Sequence, residues 1–134
     1  MTTAQTPVLI FLHRAEYDAF HQGLAVAAAA VASGRKVELY FFWWALERLV
    51  RGTLDEPDFE REDVAATMEL RGVPTARQLL DVVRDSGLAT LFACTASMAS
   101  IGLMPPEVEP KVDALIGWVS ILQRTAGIAD RFQF

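Results

Sequence analysis

Residues 8–42 read VLIFLHRAEYDAFHQGLAVAAAAVASGRKVELYFF, and this stretch decides the fold. It opens on the apolar run Val8–Leu12 (VLIFL) and closes on a second, Val37–Phe42 (VELYFF). Short continuous runs of this kind mark strands buried on both faces, as in a parallel sheet, rather than strands with one wet face. Between them, Phe20, Leu24, Ala27, Ala28 and Val31 recur at helical spacing within Glu16–Ser33, and Gly34 stops the helix. Strand, helix, strand is a βαβ unit, and its crossover is expected to be right-handed.

The same alternation continues outward. Leu88–Cys94 (LATLFAC) and the weaker Val112–Ile116 (VDALI) read as strands three and four, and Arg131–Phe134 (RFQF) as an edge strand. Thr75–Ser86 is the clearest helix: Thr75 and Gln78 form a capping box after Pro74, Leu79, Leu80, Val82 and Val83 supply an inner face, and Gly87 ends it. A helix after Cys94 should turn Met98 and Ile101 inward and stop at Gly102, and another after Gly117 carries Trp118, Ile121 and Leu122. The pattern predicts a single α/β domain spanning 1–134, three layers deep, with a mostly parallel five-stranded sheet and helices on both faces. Arg51–Gly72 is an excursion from it, in which Asp63–Leu70 has room for one or two helical turns.

Length and composition limit the function classes. With 134 residues, 52% of them hydrophobic and 22% charged, the chain can bury a core without metals or disulfides. One cysteine excludes an internal disulfide framework and a cysteine-rich zinc site, and suits a reducing, cytoplasmic setting. The net charge of −5 gives no electrostatic footprint for nucleic acid or an anionic membrane. That charge is concentrated: Asp55–Asp63 holds six acids and one base, and the rest of the chain is balanced. This segment is therefore expected to be exposed and mobile. No apolar stretch approaches the ~20 residues of a membrane span, and MTTAQTPVLI lacks the basic start of a signal peptide.

Ligands of open parallel sheets bind beyond the carboxyl ends of the strands. Those ends carry His13-Arg14, Trp43-Trp44, Cys94-Thr95 and Gly117-Trp118. Cys94 stands where a strand meets the start of a helix, whose opening amides and dipole favour a thiolate, and Thr95 and Ser97 could add hydroxyl donors. A free cysteine also serves as a small buried hydrophobe. His13 suits a hydrogen bond to a ligand or a role as base beside the thiol, against a structural role at a strand end. His21 lies within the first helix near its exposed side. Trp43 and Trp44, ending the run YFFWW, suit a pocket wall, a core or a subunit interface. Neither a dinucleotide glycine fingerprint nor a P-loop follows the first strand, so no NAD or ATP cofactor is expected. Flavodoxin-like FMN binding is left open by topology alone. The lone cysteine and two histidines form no metal constellation.

The segment ACTASMASIGL, with Cys94 after an apolar strand and Gly102 eight residues on, resembles the cysteine motif of the DsrE/DsrF-like (DsrEFH) sulfur-relay family. The opening VLIFL…VELYFF is similar to that family's first strand, small-residue helix and second strand; VDALIGWVSIL and ADRFQF resemble its last helix and terminal strand. The resemblance implies a Rossmann-like α/β/α domain and a homo-oligomer, trimer or hexamer. It also implies sulfur-relay chemistry, in which Cys94 holds sulfane sulfur as a persulfide between donor and acceptor proteins. Relatives in the family act with partner subunits, and some carry a second cysteine. This chain has none, so a Cys94 persulfide has no internal thiol to resolve it as a disulfide.

Two functions therefore stand from sequence. The leading one is a sulfur carrier, possessing sulfurtransferase-like chemistry at Cys94, with Thr95 and Ser97 supporting the charge. The other is a non-catalytic small-ligand-binding or oligomeric assembly module, in which Cys94 is structural and His13, Trp43 and Trp44 form a pocket or an interface. Exposure of the Cys94 sulfur separates them.

Overall fold

The computed structural model describes residues 6–134. The elements run β1 (Val8–Leu12), α1 (Tyr17–Ala32), β2 (Val37–Phe41), α2 (Trp43–Arg51), α3 (Asp63–Arg71), α4 (Ala76–Asp85) and β3 (Ala89–Cys94). They continue with α5 (Thr95–Ser100), α6 (Pro105–Val108), a 3-10 turn (Glu109–Lys111), β4 (Ala114–Ile116), α7 (Trp118–Thr125) and β5 (Arg131–Gln133). All five strands pair in parallel, in the order β4-β3-β2-β1-β5. The result is a Rossmann-like three-layer α/β domain, as the alternating pattern predicts.

This strand order distributes the helices unequally. From β1 to β4 the chain always steps the same way across the sheet, so right-handed crossovers keep α1 through α6 on one face. Only the return from β4 to β5, on the far side of β1, crosses the other face, and it carries α7. Strand side chains alternate between the two layers. Val8, Ile10 and Leu12, with Val37, Leu39 and Phe41, meet Phe20, Leu24, Leu46, Leu80 and Val83 on the first face. Leu9, Phe11, Tyr40, Phe42, Phe92 and Cys94 meet Ile121 of α7 on the second. Helices do cover both faces, but the second has one.

Close packing explains the small residues of α1. A Cβ built on Gly23 would lie 2.3 Å from Leu12 Cδ2 and 3.1 Å from Phe134 Cδ2, so glycine lets the helix seat directly on β1. Thr75 forms the expected capping box with Gln78. Val82 departs from expectation and is 55% exposed, because the inner stripe of α4 is Ala76, Leu79, Leu80 and Val83. Val82 falls beside that stripe. On α7 only Ile121 and Thr125 are buried; Leu122, read as part of its apolar pattern, faces outward with Val119, and Trp118 is half-exposed with its ring stacked on Phe42. Phe42 leaves its strand to become the N-cap of α2, and Val112 and Asp113 precede β4, which begins at Ala114.

The acidic excursion is exposed, as its charge implies, but it is tied down. The Tyr17 amide donates to both carboxylate oxygens of Asp58, the Arg77 amide donates to Asp55, and Arg48 donates to the carbonyls of Leu54 and Glu56. Composition alone signals none of these anchors. Beyond them α3 buries no side chain.

Candidate functional site at the carboxyl ends of β1 and β2

Parallel pairing brings the strand ends listed from sequence to one edge of the sheet, but not into one site. The loop after β1 supplies His13 and Arg14, and the first turn of α2 supplies Trp43 and Trp44. Together with Arg48 and the excursion residues Pro57, Asp58 and Phe59 they line a cleft of 660 Å³. A neighbouring groove of 1190 Å³ shares Glu16, Pro57, Asp58 and Phe59, and runs between the start of α1, α3 and the start of α4.

The cleft walls are aromatic and half-wet. Trp43 is 45% and Trp44 49% exposed, their rings 5.8 Å apart and tilted by 54°. Phe59 lines the same cleft and is almost fully exposed. Trp43 also has a φ of +45°, in the left-handed region that an L-residue with a bulky side chain rarely occupies. Backbone strain of this kind costs on the order of 1–3 kcal/mol and clusters where side chains are held for a purpose. The strained residue is one of the indole pair.

The charges around the cleft are largely matched. Arg14 lies 3.3 Å from Glu16, whose carboxyl is held below its usual range by its backbone hydrogen bond and by that guanidinium. Asp58 is occupied by the Tyr17 amide. Arg48 sits over the Phe20 ring at 4.5 Å, burial lowers its pKa from the ordinary arginine value, and its Nε has no partner. Sequence reasoning missed Arg48 and the excursion residues, because nothing local marks a loop that folds back fifteen residues after the indoles. His21 binds the Pro74 carbonyl at 2.9 Å and stacks on Tyr17, a structural tie between α1 and α4.

Cys94 lies elsewhere. It ends β3 and is the N-cap of α5, yet it is only 2% exposed. It belongs to the buried cluster of the second face, with Leu9, Phe11, Tyr40, Phe42, Phe92 and Ile121. Ser97 is buried and Thr95 half-buried. No hydrogen bond among the described residues joins either hydroxyl to the sulfur. Phe42 of the same cluster also stacks on Trp118 of α7, with centroids 5.1 Å apart. Among the described residues, no group of three His, Cys, Asp or Glu side chains is arranged to hold a metal.

A polar triad, buried at Glu38 and Tyr40 and exposed at Arg124, lies further down the same face. Glu38, 8% exposed, accepts from the Tyr40 hydroxyl at 2.6 Å and from Arg124 Nε at 2.8 Å. Burial, then the hydrogen bond to Glu38, pushes the Tyr40 phenol well above its usual range; the same carboxylate raises Arg124.

No family model matches the sequence, and no curated protein matches it. Among solved structures the chain is similar to MTH1491, a protein of unknown function from Methanobacterium thermoautotrophicum. The TM-score is 0.61 at 12% identity, covering 97% of this chain and 100% of that one. Likeness at that identity establishes the α/β fold alone. No helix among the described residues is long and apolar enough to cross a membrane.

Proposed function

We propose that this protein is a small-ligand-binding and assembly module of a cytoplasmic homo-oligomer, with Cys94 as a packing residue. One observation carries the reading: the thiol is enclosed by aromatic and aliphatic side chains, while His13, Trp43 and Trp44 converge on an open cleft. Ligand sites of this kind combine apolar walls with a few convergent polar groups. The exposed row Trp118, Val119 and Leu122 on α7 supports the assembly half. A Cys94→Ala variant should retain fold, oligomeric state and ligand-dependent changes in tryptophan fluorescence. Loss of ligand response in that variant, with the fold intact, would overturn the packing role.

The second reading, a sulfane-sulfur carrier, is favoured by the place of Cys94 at the junction of β3 and α5. Its step is attack of the Cys94 thiolate on the sulfane sulfur of a persulfide or polysulfide donor. The donor leaves as its thiolate, Cys94–S–SH remains, and an acceptor thiolate then takes the outer sulfur and frees Cys94. Mass spectrometry after treatment with polysulfide tests it, with Cys94→Ser as control. A gain of one sulfur confined to the unsubstituted protein would favour this carrier over the packing role.

A further inference from the structure

We infer that the cleft between the β1–α1 loop and α2 takes a planar aromatic ring bearing a carboxylate. The inference rests on the small-ligand-binding reading above and adds the chemical class of the ligand. Its aromatic half follows from Trp43, Trp44 and Phe59, three large faces left in water around one concavity. Rings of this size are normally covered, and two tilted indoles offer a flat ligand one face to stack on and one edge to meet.

The carboxylate half follows from what is left unmatched. Both acids at the cleft are already engaged: Asp58 by the Tyr17 amide through both oxygens, Glu16 by Arg14. Arg48 is turned toward the carbonyls of Leu54 and Glu56. The donors that remain are the buried Arg48 Nε, those on His13, half-buried and with no side-chain partner among the described residues, and those on Arg14, which spends one nitrogen on Glu16. Arg14 is a fork with five N–H donors, so an incoming carboxylate can be held beside Glu16 without displacing it. Unmatched donors beside unshielded rings select an acceptor-bearing aromatic over a cationic one. The cleft's 660 Å³ lies within the range of small-molecule sites.

Calorimetric titration of the whole chain with 1-naphthoate, 1-naphthalenemethanol and 1-naphthylmethylamine tests the class. Naphthoate should bind at least tenfold tighter than the alcohol, and the amine weakest. Arg14→Gln should level acid and alcohol while keeping ring affinity, and Trp44→Ala should weaken all three. Equal affinity for acid and alcohol in the unsubstituted protein would overturn the carboxylate inference and leave the cleft as a ring site. Absence of binding by all three, or binding indifferent to Trp44→Ala, would overturn the cleft reading itself.

Discussion

The two faces of the sheet are built from the same strands by different means. On the first face, aliphatic side chains of β1, β2 and β3 interdigitate with α1, α2 and α4. On the second, Phe11, Tyr40 and Phe92 stand opposite one another in register across three strands, stacked at 5.0 and 4.9 Å. A face with many helices can be filled by branched aliphatics. A face with one short helix must largely seal itself, and wide stacked rings do that. The first face thus carries the stability, while the second carries the thiol, the polar triad and an exposed apolar helix.

This division can be broken most directly by two truncations. Leu39→Ala removes a fully buried side chain beneath several helices and should cost about 2–5 kcal/mol in urea unfolding. Ile121→Ala, equally buried, should cost less globally, because α7 can lift away while the other layers stay closed. Its signature should be local: faster hydrogen exchange across α7 and at least tenfold faster Cys94 alkylation. Equal losses from both truncations, with Cys94 still protected, would mean that the two faces unfold as one unit.

A subtler probe is Arg124→Met, which leaves Glu38 with Tyr40 as its remaining partner. The Arg124 side chain is 48% exposed, so solvent screens much of the pair and the loss should be about 1 kcal/mol. If the ion pair clamps α7 to the sheet, Cys94 alkylation should accelerate with little change in unfolding midpoint. Unchanged alkylation would place the hold on α7 in Ile121 and the Phe42–Trp118 stack instead.

Strand positions, the α4 cap and the parallel sheet were legible because each rests on local pattern: unbroken apolar runs, a Thr–Gln pair at the right spacing, glycine stops. The meeting of His13 with Trp43 and Trp44 was legible too, since parallel strand ends must share an edge. What escaped depends on strand order. Nothing in VLIFL or LATLFAC says that one face receives six helices and the other one, so the burial of Cys94 in the cluster that Ile121 closes could not be read. Arg124 and Glu38 lie 86 residues apart, and Asp58 and Tyr17 41 apart; such pairs have no sequence signature.

The smallest expected effect isolates the polar triad by pH. Tyr40 is fully buried, and its phenol is raised above the ordinary value of 10.0, first by burial and then by the hydrogen bond to Glu38. A raised folded-state value means that the unfolded chain loses its proton first as pH climbs. The stabilisation is therefore complete below pH 10 and is lost progressively as pH rises toward the folded-state value. Tyr40→Phe has no proton to lose, so its deficit relative to the unsubstituted protein should shrink by about 0.8 kcal/mol at pH 10.5. Tyr17, raised by its own burial, should leave an alkaline slope in both proteins and cancel from the difference. Urea unfolding from pH 8 to 10.5 measures it. A gap that stays constant over that range would mean that the phenol ionises alike in both states, and that water reaches the second face beneath α7.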